Sequence, residues 1–293
     1  MKLLTYHQKN TESVGVLNKN GDLIIPIKAL GLTYPSMHEL ILHVTEDELN
    51  LLRNAAKDPS IDGIPYATVG KVAPIPEPRQ DVICLGYNYL DHIDESARFK
   101  GEDVDLPEYA IYFSKRVNRA VPDGGEITSY PELDEQLDYE TELAVIIGKD
   151  AKDVPAERVG EYIFGYTILN DVSARKLQGR HRQFYFGKSL DGFTPMGPWI
   201  VTGDEFNFPL DLGVSTYVNG ELRQNARTSQ MIFKIPHVIA ELSSGFTLKA
   251  GTIIATGTPG GVGMGDDTPR FLQKGDVVEC VVEGVGKLTN VVG

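Results

Sequence analysis

The chain has 293 residues, 41% of them hydrophobic, with 28 basic against 41 acidic side chains and a net charge of −13. That length carries one large domain, or a large and a small one, around a sizeable core. The acidic balance argues against a nucleic-acid footprint, which needs clustered Lys and Arg; a local cation or a few basic side chains still admit a small anionic substrate. Two cysteines, Cys84 and Cys280, lie in apolar runs and read as reduced core thiols, so no disulfide framework is implied. The segment Met1–His7 lacks the long apolar stretch of a signal peptide and no run reaches transmembrane length, which points to a cytoplasmic protein without membrane contact.

In chain order, Ser13–Leu17 and Asp22–Pro26 read as strands around an Asn20-Gly21 turn. Ser36 with Glu39, and Thr45 with Glu48, form two capping-box signatures that each open a short amphipathic helix. The proline-rich run Ala73–Arg79 is a stiff, extended connector. It divides a small N-terminal α/β domain, residues 1–72, from a larger domain, residues 73–293. Beyond it the pattern is β-rich: Asp81–Gly86, Ala110–Ser114, Glu142–Ile147, Tyr162–Leu169, Gly213–Val218, Thr252–Thr256 and Asp276–Val282. Two stretches read as helical, Ser173–Arg182 and Thr228–Ser244, the latter stopping at Gly245.

Three carboxylates stand out in this apolar sequence. Glu140 and Glu142 share one strand face by the period of two, and Asp171 closes the apolar run Tyr162–Asp171. Three hard oxygen donors at strand ends suit Mg²⁺ or Mn²⁺ with coordination positions left for a substrate. The alternative is a wet strand face with Asp171 capping the following helix.

Five segments together resemble the fumarylacetoacetate hydrolase superfamily: Cys84–His92 (CLGYNYLDH), Leu137–Glu142 (LDYETE), Asn170–Arg175 (NDVSAR), Gly187–Pro198 (GKSLDGFTPMGP) and Ala255–Gly263 (ATGTPGGVG). Their order and spacing match from about residue 80 onward, nearest to the acylpyruvase and oxaloacetate-decarboxylase-like branch. The resemblance implies an α+β, β-rich catalytic domain of mixed roll or sandwich topology, usually a homodimer, with one divalent cation on Glu140, Glu142 and Asp171. It also implies a 2-oxo acid substrate chelating that cation, which acts as Lewis acid and stabilises the enolate left when C3–C4 breaks.

The same resemblance gives roles to other positions. Lys188 matches a lysine that holds the oxo-acid group or a developing oxyanion. His92 and Glu95, one helical turn apart, match a pair in which Glu orients the imidazole as general base for water. Ala97–Asp105 is polar and suits a mobile lid. Gln178 falls near the substrate, whereas Arg175 reads equally as a structural ion-pair partner. Thr258 could offer its hydroxyl or N–H to the substrate carboxylate. Lys176 departs from the acidic residue usual in its motif. Gly260, Gly261, Gly263 and Gly265 form no phosphate loop and allow close backbone approach instead. Tyr87, Tyr112, Arg116 and Tyr166 are candidate pocket lining, and Cys84 is no nucleophile in apolar surroundings. The expected activity is hydrolysis of acylpyruvate-type 2,4-dioxo acids. Oxaloacetate decarboxylation, 2-oxo-alkenoate isomerisation or hydration, and non-catalytic 2-oxo-acid binding are the alternatives.

Overall fold

A computed structural model describes residues 1–9, 11–101 and 105–293. It begins with strands Lys2–Gln8 (β1), Thr11–Leu17 (β2) and Leu23–Pro26 (β3). Between β2 and β3, Asn18 Oδ1 accepts from the N–H groups of Gly21, Asp22 and Leu23, and Gly21 takes φ +78°, so the reversal is a loop wound on Asn18. Helices Met37–His43 (α1) and Glu46–Lys57 (α2) follow. The capping box of α2 is complete: Thr45 N–H donates to Glu48 at 2.9 Å and Glu48 N–H to Thr45 Oγ1 at 3.3 Å. At α1 only Glu39 N–H to Ser36 Oγ forms, because the Glu39 carboxylate is drawn to Arg79 and His43.

Short strands Ile64–Pro65 (β4) and Gly70–Lys71 (β5) lead to Val82–Gly86 (β6), helix Leu90–Lys100 (α3), and strands Ile111–Lys115 (β7), Glu126–Ile127 (β8), Leu137–Asp138 (β9), Thr141–Ile147 (β10), Ile163–Asn170 (β11) and Ser173–Ala174 (β12). Then come helices Arg175–Arg180 (α4) and Tyr185–Lys188 (α5), strands Met196–Thr202 (β13), Gly213–Val218 (β14) and Glu221–Arg227 (β15), helix Ile235–Gly245 (α6), and strands Ile253–Ala255 (β16), Val277–Val282 (β17) and Gly286–Val292 (β18).

The result is a sheet-rich α+β architecture. Eleven strands form one mixed sheet in the order β4-β3-β2-β1-β13-β11-β10-β16-β6-β7, with β5 beside β1. A five-stranded sheet, β15-β14-β17-β18-β8, packs on part of one face. Strands β10 and β11 are buried along their whole length, which explains their near-continuous apolar sequence. Leu143, Val145 and Ile147 face the cluster shared with the smaller sheet and α6; Ala144 and Ile146 face the cluster shared with α1 and α2. The same alternation puts Glu140 and Glu142 on the Ala144 side and leaves Thr141 opposite, bonded to Thr216.

The N-terminal strands continue the large sheet through the β1–β13 pair, Lys2 opposite Val201 and Leu3 opposite Ile200. Val16, Leu40 and Leu52 share an apolar cluster with Cys84, Ile146 and Ala255, and Thr5 Oγ1 donates to Pro74 O at 2.7 Å. Two helices begin later than expected. Ser173–Ala174 pairs with Leu137–Asp138 as a strand, so α4 starts only at Arg175. Ahead of α6, Thr228–Gln230 is a 3₁₀ turn, and Pro236 in the first helical turn sets the true start. Gly245 is the last helical residue, not a left-handed cap, since the cap is extended Phe246. Among the described residues no helix is long and apolar enough to cross a membrane.

Strands β11 and β13 approach so closely at Gly165 that a Cβ there would overlap the Val201 carbonyl and press on Ile200 at 2.7 Å. Gly165→Ala is therefore expected to cost about 1–3 kcal/mol as overpacking does, read as a lower urea midpoint with an unchanged m-value.

Candidate active site

The central strands deliver the three acids to one place. Glu140 immediately precedes β10, Glu142 is its second residue, and Asp171 directly follows β11. Thr141 pairs with Asn170 in register. Asp171 N–H donates to Glu140 O at 2.8 Å, and Glu140 N–H to Asn170 Oδ1 at 2.9 Å. On the other side of β10, the turn after β16 supplies Gly257 N–H to Glu142 Oε2 at 2.7 Å. Ligand oxygens of Glu140, Glu142 and Asp171 lie within 4.8 Å of one another, all buried.

Burying three carboxylates needs compensation. Lys188 Nζ bridges Glu140 Oε2 at 2.7 Å and Asp171 Oδ2 at 2.8 Å. Lys115 Nζ reaches Asp171 Oδ1 at 2.6 Å. Arg175 spans Asp138 at 2.8 Å and Glu140 at 2.6 Å. Burial alone would raise the Glu140 carboxyl, but Lys188 and Arg175 outweigh it and hold it far below the ordinary range. Burial works against the Lys188 ammonium, and Asp171 and Glu140 reverse that and raise it.

Glu142 is the exception. Burial first, then Asp171 and Glu140, push its carboxyl well above the usual carboxylate range. Its Oε1 is buried without a hydrogen-bond partner among the described residues. Three hard oxygen donors, one of them an orphan, fit a divalent cation of the Mg²⁺ or Mn²⁺ type.

A cavity of about 120 Å³ opens beside the cluster, and Glu140, Arg175, Gln178, Lys188, Thr258 and His92 all contribute to its wall. His92 is buried on α3. Its Nδ1 is 3.9 Å from Glu95 Oε2, too far for a hydrogen bond, and neither atom has another partner among the described residues. Glu95 is fixed through Oε1, which accepts from Gly261 N–H at 2.7 Å. Gln178 Oε1 accepts from Arg175 at 3.1 Å. The Thr258 hydroxyl is committed inward, donating to Thr141 O at 3.1 Å and accepting from Gln224 at 2.7 Å.

Several side chains stand elsewhere than expected. Of the four lining candidates, only Tyr87 borders this cavity. Tyr112 bonds Glu241, Arg116 is exposed and pairs with Asp81 at 3.0 Å, and Tyr166 packs edge-on against Phe206. Lys176 points to the surface and pairs with Glu135, outside the buried network. Lys115 and Asp138 join the cluster with no sequence signal of their own; Lys115, the last residue of β7, is buried where Arg116 turns out. Cys84 is fully buried, and burial, then Asp171 and Glu142, raise its thiol well above normal, which fits an inert role. The glycine loop does allow close approach: a Cβ on Gly260 would meet Asp91 Cβ at 2.7 Å, and one on Gly263 the Arg270 carbonyl at 2.5 Å. Of the proposed lid, Ala97–Lys100 is helical, while 102–104 lie outside the described residues.

Residues 81–293 match the family model described as fumarylacetoacetate (FAA) hydrolase, C-terminal. The chain belongs to the fumarylacetoacetate hydrolase family. It is 48% identical over 221 residues, 75% of its length and 72% of the relative's, to oxaloacetate tautomerase YisK of Bacillus subtilis. The fumarylacetoacetate hydrolase structure from Exiguobacterium antarcticum superposes with TM-score 0.82 at 38% identity, covering 100% of this chain and 99% of that one. Maleylpyruvate hydrolase from Sphingobium sp. SYK-6, solved with manganese(II) and pyruvate, gives TM-score 0.77 at 30% identity over 100% and 98% of the two chains. Named members of the family are thus enzymes acting on small molecules, and one holds a metal ion.

The raised Glu142 carboxyl has a consequence for stability. In the metal-free fold it keeps a proton that the unfolded chain releases, so the native state binds more protons above the ordinary carboxylate range. Stability then falls as pH rises through that window. Glu142→Gln should remove this fall, gaining stability over the parent as pH climbs from about 4 to neutrality, and should lose any Mn²⁺-induced rise in Tm. Parallel melting profiles for the two proteins across that range would contradict it.

Proposed function

We propose that this protein is a divalent-cation-dependent enzyme of small 2-oxo acids that works by moving a proton at C3, with keto–enol interconversion of an oxaloacetate-type acid as its first reaction. The observation that carries this reading is the buried carboxylate cluster with its unpaired Glu142 oxygen, flanked by Lys188 and by His92 in the wall of one cavity. The cavity's 120 Å³ lies far below the roughly 300 Å³ at which drug-sized pockets begin, which suits a four-carbon acid. The 48% identity to an oxaloacetate tautomerase supports the same substrate size and reaction.

Glu140, Glu142 and Asp171 would hold the cation, which when bound supplies Lewis-acid polarisation of the substrate's 2-oxo group. Lys188 keeps a positive charge where negative charge grows on that oxygen. Arg175 fixes Glu140 in place through a bond at 2.6 Å. Gln178, held by Arg175, offers its amide to the substrate from the wall. Thr258 acts through its backbone position in that wall, because its hydroxyl is already engaged. His92 takes and returns the C3 proton, with Glu95 close enough to Nδ1 to orient the ring once substrate tightens the site.

Hydrolysis of acylpyruvate-type 2,4-dioxo acids is the second reading, supported by the likeness to maleylpyruvate hydrolase. It uses the same residues with His92 activating water. The exposed Tyr185 and Phe186 on the short helix that ends in Lys188 support a homodimer as the working form.

The test is turnover of oxaloacetate enol, oxaloacetate decarboxylation and acetylpyruvate hydrolysis with Mg²⁺, with Mn²⁺ and with EDTA. His92→Ala should lower tautomerisation and hydrolysis by about 10²–10⁴-fold, the usual worth of a general base, and spare most of any decarboxylation, which needs no base. Glu142→Gln should abolish all three. Turnover that survives EDTA, or equal losses of every activity in His92→Ala, would overturn the assignment.

A further inference from the structure

Helix α3 brings more than His92 to the cavity. Residues 92, 96 and 100 recur at intervals of four and therefore lie along one stripe of the helix. Ser96 and Lys100 both line the cavity with His92. Neither has a role in the chemistry above.

Ser96 is 0% exposed, and its Oγ has no hydrogen-bond partner among the described residues. A helical serine normally satisfies its hydroxyl on a carbonyl three or four residues back. Ser243 and Ser244 on α6 do so, donating to Ala240 O at 3.1 Å and Glu241 O at 2.7 Å. An orphan hydroxyl beside a cavity is a donor kept for something that enters it.

Lys100 ends the helix. Its ammonium donates to Tyr87 Oη at 2.6 Å and lies 5.3 Å from that ring's centroid, and among the described residues it pairs with no carboxylate. Its neighbour Arg98 turns outward to Asp267 at 3.8 Å. The two basic residues of the last turn thus diverge, one to the surface network and one to the cavity. The other cations of the wall, Lys188 and Arg175, are fully engaged by Glu140, Asp171 and Asp138. Among the described residues Lys100 is the basic side chain of the wall that pairs with no carboxylate, which leaves it for an acid at the substrate's far end.

Resting on the 2-oxo-acid reading, we propose that Ser96 and Lys100 form a subsite for the distal carboxylate of the substrate, making this a site for four-carbon 2-oxo dicarboxylates. The cation cluster takes the 2-oxo acid end. The Ser96 hydroxyl and the Lys100 ammonium, steadied by Tyr87, take the other end as a hydroxyl and a charge-assisted donor.

Oxaloacetate and acetylpyruvate provide the test, because a neutral acetyl group replaces a carboxylate of nearly the same size. The wild-type protein should prefer oxaloacetate in kcat/KM. That preference should fall about 10-fold in Ser96→Ala and at least as far in Lys100→Met, the scale of a lost hydrogen bond to a charged group, while Lys100→Arg keeps most of it. Calorimetric dissociation constants for the two acids in Mg²⁺ give the same ratio independently of turnover. A wild-type protein without preference, or a ratio unmoved by both variants, refutes the subsite. Failure of the 2-oxo-acid reading itself would show differently, as neither acid binding or turning over in any variant.

Discussion

The structure turns on the burial of acidic groups around one point between β10 and β11. At 4 Å two like charges repel by about 4 kcal/mol even at an effective dielectric of 20. Four acids meet here, Asp138, Glu140, Glu142 and Asp171, and three basic side chains answer them, Lys115, Arg175 and Lys188. Among the described residues the pairing leaves Glu142 without an ion-pair partner. Protonation of Glu142 relieves the imbalance, and the proposed divalent cation would relieve it with positive charge to spare for a substrate anion. The same deficit that disfavours the ionised metal-free fold would give the proposed cation its affinity.

Central strands are the natural place for such a cluster. A position buried on both sides fixes each carboxylate by ladder bonds and packing rather than by its own rotamers, which preorganises the donors. Gly257 contributes here because its backbone runs close to Asn88, with φ +91° that favours glycine, and its N–H then points to Glu142. Asn88 in turn bonds Thr256 O at 2.7 Å and both backbone groups around Phe233, fastening the turn between β6 and α3. The carboxylate cluster and the helix bearing His92 are therefore tied to each other through one asparagine.

Much of this was legible in the sequence, and the gaps follow a pattern. The period of two placed Glu140 and Glu142 together because strand geometry is local. The strands around residues 82–86, 141–147 and 163–170 were readable because burial on both faces leaves long apolar runs. Strand β1 was not, since its partners are β2, β5 and β13, the last some two hundred residues along the chain. The late start of α4 was hidden for the same reason: Ser173–Ala174 has a helical look, yet Leu137–Asp138 captures it as a strand. Lys115 gives no signal in the sequence because a lysine at a strand end usually faces water, and only the position of Asp171 in space gives it a partner. Lys176 drew attention by sequence contrast but points away from the cluster, which composition alone cannot reveal.

Relatives of one fold carry names as different as tautomerase and hydrolase, and the proposed division of labour in this site is a physical account of that breadth. The carboxylates proposed to hold the cation, and the basic side chains that pair with them, sit on the core sheet or bond directly to its acids. The groups proposed to move the proton and to meet the far end of a substrate, His92, Ser96 and Lys100, sit on one helix of 11 residues. That helix is held to the glycine loop by Glu95, to Phe271 by the ring of Phe99, and at its end by Tyr87 and Lys100. On that proposal the reaction and the substrate vary with side chains of α3 while the buried charges stay in place. A fold that confines its costly electrostatics to rigid strands can vary its chemistry on a neighbouring helix.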